Sequence, residues 1–204
     1  MEESLGIDEA GRGPVFGPLV VGMVAGDLSE VPAGIRLEDS KKLSPAQREK
    51  SAHFIRESCV WQVHYIPAAV ISFSELPLQH LEARVISAAL ANFALHIPVY
   101  VDALGSGRAA ENWVRLAHPE RKIRFEKKAD ERYKIVSAAS ILAKLARDRV
   151  IEKLKKRWGE IGSGYPSDPK TQDWLELRAQ ESEVDWPAFV RLNWKTIRRF
   201  ENSE

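Results

Sequence analysis

Apolar and polar positions along this chain fall into short blocks that read as separate elements. Ser4–Asp8 and Leu19–Ala25 are apolar runs on either side of the Gly- and Pro-rich segment 11–18, which predicts two strands of a hairpin-like pair. Ser44 followed by Pro45 supplies an N-cap and a first helical residue, so a helix is expected towards Ser58. Val60–Ile66 alternates like a strand. Leu78, Leu81, Val85, Ala89 and Phe93 recur at helical spacing and predict an amphipathic helix over Leu78–Leu95. Pro98 precedes a short apolar strand, Val99–Val101, which ends at Asp102. Residues 103–120 read as loop and helix, and Lys122–Glu126 alternates as another strand. A long helix is expected over Ile135–Arg157, with small residues on a face through Ala138, Ala139 and Leu142. Gly162–Pro169 is turn chemistry throughout, and helical segments follow after Thr171 and near Trp186–Phe200. Strands interleaved with helices, then helices alone, predict an α/β layer with some antiparallel strands and a helical C-terminal cap. Any second unit begins near Gly162.

Composition narrows the class. The 204 residues are 44% hydrophobic and 29% charged, which is globular and argues against global disorder. A single cysteine, Cys59, excludes an intrachain disulfide and a cysteine-rich zinc site, and fits a reducing compartment. The Met-Glu-Glu-Ser start lacks the pattern of a secretion signal, and no apolar run approaches the roughly 18 residues of a spanning helix. The expectation is a cytoplasmic protein with no membrane partner. The formal net charge of +1 conceals an uneven distribution: residues 1–40 carry −6, whereas residues 121–157 carry +9. An acidic first segment beside a basic middle suits a site that holds metal ions against a phosphate backbone, although a solvated helix face explains the basic run equally well.

Acidic residues sit where strands end or beside basic loops: Asp8-Glu9, Asp102 and Asp130. Clustered carboxylates must be neutralised by protons, cations or metal. Hard divalent ions take oxygen ligands, and two of them about 3.5–4 Å apart activate water and stabilise the leaving oxygen of a phosphodiester. Spacing alone does not bring the four together, and on spacing alone each reads as an ordinary loop residue sooner than as a ligand. Alternation sends Asp8 and Glu9 to opposite faces of a regular strand, so Glu9 must stand at the strand's end or act through its backbone carbonyl. The five histidines show no i, i+4 pair. No Gly-x-Ser-x-Gly elbow or P-loop is present, which argues against serine hydrolases and P-loop ATPases.

In order along the chain stand Gly6-Ile7-Asp8-Glu9-Ala10-Gly11-Arg12-Gly13-Pro14, Asp39-Ser40-Lys41-Lys42-Leu43, Val101-Asp102, Lys128-Ala129-Asp130, the run Ser137–Lys144, and Gly162–Pro169. This set resembles the ribonuclease HII (type 2 ribonuclease H) family from residue 4 to about 172, and Tyr-Pro-Ser-Asp-Pro resembles its archaeal–eukaryotic branch. Arg132 departs from the apolar residue often found there. The resemblance implies a ribonuclease H-like fold: a mixed central sheet flanked by helices over residues 1–161, with a substrate-contacting loop and helical cap over 162–204. It implies that Asp8, Glu9, Asp102 and Asp130 are catalytic and hold two Mg²⁺ or Mn²⁺ ions. It further implies hydrolysis of the RNA strand of RNA–DNA hybrids and incision of duplex DNA 5′ to embedded ribonucleotides, leaving 3′-hydroxyl and 5′-phosphate ends. Gly11, Arg12 and Gly13 would sense the ribose 2′-hydroxyl, Lys41 and Lys42 would contact the phosphate backbone, and Tyr165 would stack on the junction sugar. Ser137, Ser140 and Lys144 would line the site, and a monomer is expected. A type 1 ribonuclease H and a non-catalytic nucleic-acid-binding module are the competing readings; Tyr165 with the Gly-Arg-Gly loop argues against the first, and the full set of acids against the second.

Overall fold

Strand β1 (Ser4–Ala10) is the axis of the sheet. In the computed structural model, which describes residues 3–105, 108–181 and 185–201, it pairs antiparallel with β2 (Leu19–Gly26), placing Asp8 opposite Gly22. On its other side it runs parallel to β4 (Val99–Asp102), which in turn runs parallel to β5 (Ile123–Glu126). With β3 (Val60–Ile66) beside β2, the five-stranded order is β3-β2-β1-β4-β5. The expected cap residues 182–184 and 202–204 lie outside the described residues.

The chain divides into two compact units: one formed by the residues up to Ala10 with Val20–His64 and Leu76–Leu145, the other by Gly11–Leu19, Tyr65–Glu75 and the residues from Ala146 onward. In the first, alternation along the strands feeds two cores. Leu5, Ile7, Met23, Val99 and Val101 pack with Ile86 and Leu90 of α3 (Leu78–Leu90) and Val114 of α4 (Ala109–Ala117). Val24 packs with Ile55 of α1 (Pro45–Ser58) and with Ala138, Ala139 and Leu142 of α6 (Lys134–Trp158). On this second face, a Cβ on Gly6 would overlap the Ile135 carbonyl and one on Gly22 the Ala139 carbonyl. Two bare backbone positions therefore let α6 lie directly on β1 and β2. That is the packing role the small residues of α6 foreshadow.

Helix α1 starts as expected: Ser44 and Gln47 form a reciprocal capping box with Pro45 in the first turn. The third helix stops at Leu90, short of Leu95, and Arg121 caps its end by donating to the carbonyls of Leu90, Phe93 and Ala94. Two short helices have no counterpart in the sequence pattern, α2 (Ala68–Phe73) and α5 (Ala129–Arg132). In the second unit, α7 (Pro169–Ala179) begins on Asp168 as N-cap, and α8 is Lys195–Glu201. Phe16, Ile151, Leu175 and Ile197 form its core, ringed by Trp158, Trp174, Trp186 and Trp194. Phe16 meets Trp174 edge-on at 5.2 Å, a geometry worth roughly 0.5–1.5 kcal/mol beyond area burial. Trp61 and Trp113 stand apart from these cores, 40% and 44% exposed.

Candidate active site

The parallel register pairs Ile7 with Val101, so Asp8 and Asp102, each one residue further, emerge side by side, Asp102 at the end of β4 and Asp8 two residues before the end of β1. Adjacent strands lie roughly 4.8 Å apart, which sets the spacing of the two carboxylates. Glu9 joins them. One carboxylate oxygen each from Asp8, Glu9 and Asp102 lies within 4.8 Å of the other two. The alternation problem is solved at the end of β1, where Glu9 is the penultimate residue and the short Asp8 side chain folds back to accept the Glu9 N–H at 2.7 Å. Asp130 is outside this triplet. It stands on α5, where the negative charge of Asp102 still reaches it.

Electrostatics follow from this crowding. Asp8, only 7% exposed, is held well above the usual aspartate range by burial first, and then by the charges of Glu9 and Asp102. Burial and Glu9 raise Asp102; burial, Asp102 and Asp39 raise Asp130. Opposing this, Ser140 hydrogen-bonds Asp8 and favours its ionised form. Ser140 lies on α6 one residue after Ala139, the residue seated over Gly22, and its hydroxyl oxygen is 3.1 Å from that of Ser40.

Asp102 accepts the Ala129 N–H at 2.9 Å, an arrangement set by Lys128, whose φ of 57° turns the chain left-handed ahead of α5. Ser137 donates to the Asp130 carbonyl and ties α5 to α6. The loop with Lys41 and Lys42 lies against the same helix: Lys41 is close enough to favour ionised Asp130, and Lys42 pairs with Glu131 at 3.7 Å. A cavity of about 340 Å³ is lined there by Asp39, Lys42, Asp130 and Ser137.

The remaining expected substrate residues lie together in the second unit. Gly11 has φ +93°, and an added Cβ would sit 2.7 Å from the Pro18 carbonyl, so this turn admits only glycine without strain. The Val15 N–H donates to the Gly164 carbonyl at 2.7 Å, joining the 11–18 loop to the 162–169 loop. Gly13 faces the Tyr165 ring, which is 38% exposed. The Arg147 guanidinium stands 5.2 Å from that ring's centre and donates to the Ser163 carbonyl at 2.6 Å. Asp168 accepts the N–H groups of Ser163 and Lys170, fixing the turn before α7. Sequence reasoning missed Arg191. Its guanidinium is fully buried and donates to the carbonyls of Gly11, Arg12 and Gly17, while Trp194 Nε1 donates to that of Gly13. The available signal was a charged residue inside the apolar run Ala188-Phe189-Val190-Arg191-Leu192.

The donor set is entirely carboxylate oxygen, partly buried and mutually repulsive, which fits hard divalent cations. A mixed sheet carrying such a set accords with the expected ribonuclease H-like fold. Comparison with known proteins agrees: residues 5–197 match the family description Ribonuclease HII. A curated ribonuclease HII of Pyrococcus horikoshii is 41% identical over 206 residues, covering 96% of this chain and 91% of the relative. The crystal structure of ribonuclease H2 from Pyrococcus horikoshii OT3 superposes with a TM-score of 0.86 at 39% identity, covering 98% of this chain and 97% of that one. The PCNA:RNase HII complex from Archaeoglobus fulgidus matches with a TM-score of 0.82 at 34% identity, covering 95% and 96%. The chain belongs to the ribonuclease HII family, whose members are divalent-metal-dependent endonucleases that degrade the RNA of RNA–DNA hybrids. Among the described residues no helix is long and apolar enough to cross a membrane.

Proposed function

We propose that this chain hydrolyses the RNA strand of RNA–DNA hybrids and also incises duplex DNA 5′ to embedded ribonucleotides, leaving 3′-hydroxyl and 5′-phosphate ends. The observation that carries the reading is the oxygen-only triplet of Asp8, Glu9 and Asp102 within 4.8 Å. These three residues and Asp130 are the catalytic carboxylates, and they would hold Mg²⁺ or Mn²⁺. When bound, two such ions supply activation of water and stabilisation of charge on the departing oxygen. The protein's own contribution is orientation. Ser140 favours the ionised form of Asp8, and the Ala129 N–H fixes the carboxylate of Asp102. Lys41 and Lys42 position the substrate by its phosphates without reading bases. Gly11, Arg12 and Gly13 sense the 2′-hydroxyl, the group that distinguishes RNA from DNA, and Tyr165 covers the junction sugar. Segment 162–204 serves as substrate loop and cap of a monomeric, cytoplasmic enzyme.

One assay tests this reading. A duplex with one ribonucleotide, a continuous hybrid and plain DNA are incubated with Mg²⁺, with Mn²⁺ and with EDTA, and the product ends are mapped. Cleavage of the first two with 3′-hydroxyl ends, metal-dependent and absent on plain DNA, is the expected result. Cleavage of the hybrid alone restricts the enzyme to runs of ribonucleotides.

A further inference from the structure

The Gly11-Arg12-Gly13 loop is held from beneath by two side chains distant in sequence. The three nitrogens of Arg191 donate to Gly17 O at 2.9 Å, Arg12 O at 3.1 Å and Gly11 O at 2.6 Å. Trp194 Nε1 donates to Gly13 O at 3.1 Å, and the Arg191 guanidinium lies 4.9 Å from the centre of the same indole. All three carbonyls of the motif are thereby drawn to one side. No cis peptide occurs among the described residues, and in a trans peptide the N–H points opposite to the C=O. The N–H groups of Arg12 and Gly13 therefore face away from Arg191. Successive N–H groups on one side form a concavity suited to an electronegative oxygen.

Charge reinforces the arrangement. Burial, then the nearby charge of Arg147, lowers Arg191 to about 9. Its hydrogen-bond partners are carbonyls, not an acid. Such a guanidinium is retained at a desolvation cost, and its planar fork is the side chain able to gather several carbonyls at once.

We infer that Arg191 and Trp194 are the positioning residues that set the peptide orientation of Gly11-Arg12-Gly13 and thereby its preference for a ribose over a deoxyribose. This rests on the proposed role of that loop in sensing the 2′-hydroxyl. Neither side chain touches the substrate in this scheme; both act through the backbone.

The test is paired binding in EDTA, measuring the affinity for a duplex with one ribonucleotide relative to the same sequence in DNA. Trp194→Phe keeps an aromatic ring and removes the donor to Gly13. Arg191→Lys keeps the charge and loses the fork. Each should narrow the ribose preference by about fivefold or more, the worth of one hydrogen bond, while Mn²⁺ binding to the carboxylates, followed calorimetrically, stays as in the parent. A merely structural loosening would weaken both duplexes alike. If Arg191→Lys does not fold, Trp194→Phe decides alone. An unchanged preference ratio in a folded variant overturns the inference while leaving the loop's role intact. A parent protein without any ribose preference overturns that role and this inference together.

Discussion

Ser40 and Ser140 are a hundred residues apart in sequence, and their hydroxyl oxygens are 3.1 Å apart. The relay they form ends on Asp8, the most buried of the four acids. It places two neutral residues in control of how readily that acid ionises.

Ser140→Ala should raise Asp8 further above the ordinary range, because a side-chain contact that favours its charged form is lost. Hydrogen bonds to charged groups are worth about 1.5–3 kcal/mol. Mn²⁺ affinity near neutral pH should therefore drop by at least about tenfold and recover as the pH is raised. Calorimetric titration across pH reads this directly; an affinity equal to the parent's at every pH would assign the serine to packing alone.

Asp8→Asn, Asp102→Asn and Asp130→Asn should each lower turnover by at least about 100-fold while leaving the protein folded. In EDTA, Asp8→Asn should melt no lower than the parent, since it removes a buried charge repelled by two neighbours. Steady-state rates at saturating metal and melting curves check both halves. Parent-like turnover removes that residue from the catalytic set.

Stability without metal should depend on pH in an unusual direction. Asp8, Asp102 and Asp130 are raised in the folded state above the roughly 4 they have unfolded. Between those values the folded chain binds more protons than the unfolded one, so stability falls as pH rises through the raised values. Asp168 and Glu126, lowered by their hydrogen bonds, act oppositely below the ordinary carboxylate range, and His64, lowered by burial, acts oppositely where an imidazole titrates, one group against three aspartates. In EDTA the melting temperature should thus increase from pH 8 towards pH 5. Added Mn²⁺ should raise it at pH 8. A decrease from pH 8 to 5 in EDTA would contradict the raised values.

Binding of a continuous hybrid should weaken steeply with salt. Replacing Lys41 and Lys42 together by alanine should flatten the log–log slope by roughly one to two units if both meet phosphates. The ion pair of Lys42 with Glu131 must open for the larger value, so a change near one assigns the contact to one lysine. An unchanged slope assigns both to solvent.

Tyr165→Ala should cost about tenfold in rate on a duplex with a single ribonucleotide, at the lower end of what aromatic contacts are worth. The loss should be smaller on a continuous hybrid, where no unique junction fixes the register. Equal losses on both substrates would make Tyr165 a packing partner of Gly13 and Arg147 only.

Local chemistry was readable in the sequence. Ser44-Pro45 marked the start of α1 correctly because a cap is decided within four residues. The same grammar recurs at Asp168-Pro169, yet the pattern predicts a helix only after Thr171, because the surrounding Gly and Ser residues read as a turn. Helix α5 carried no signal at all: four residues launched from a left-handed lysine have no periodicity to detect. Glu9 stands near the end of β1 beside Asp8 and Asp102, whereas Asp130 stands outside that triplet. Arg191 was invisible for a different reason, since the carbonyls it gathers are up to 180 residues away.

That separation has a consequence for how the protein is made. Asp8, Glu9, Asp102, Asp130 and Ser140 all precede Arg191 along the chain, so during synthesis the 11–13 loop goes without its clamp until residues 191 and 194 follow. Contacts so distant along the chain form late. With the proposed roles, a growing chain would gather its carboxylates before it fixes the loop that chooses the substrate, and selectivity would come only with residues 191–194.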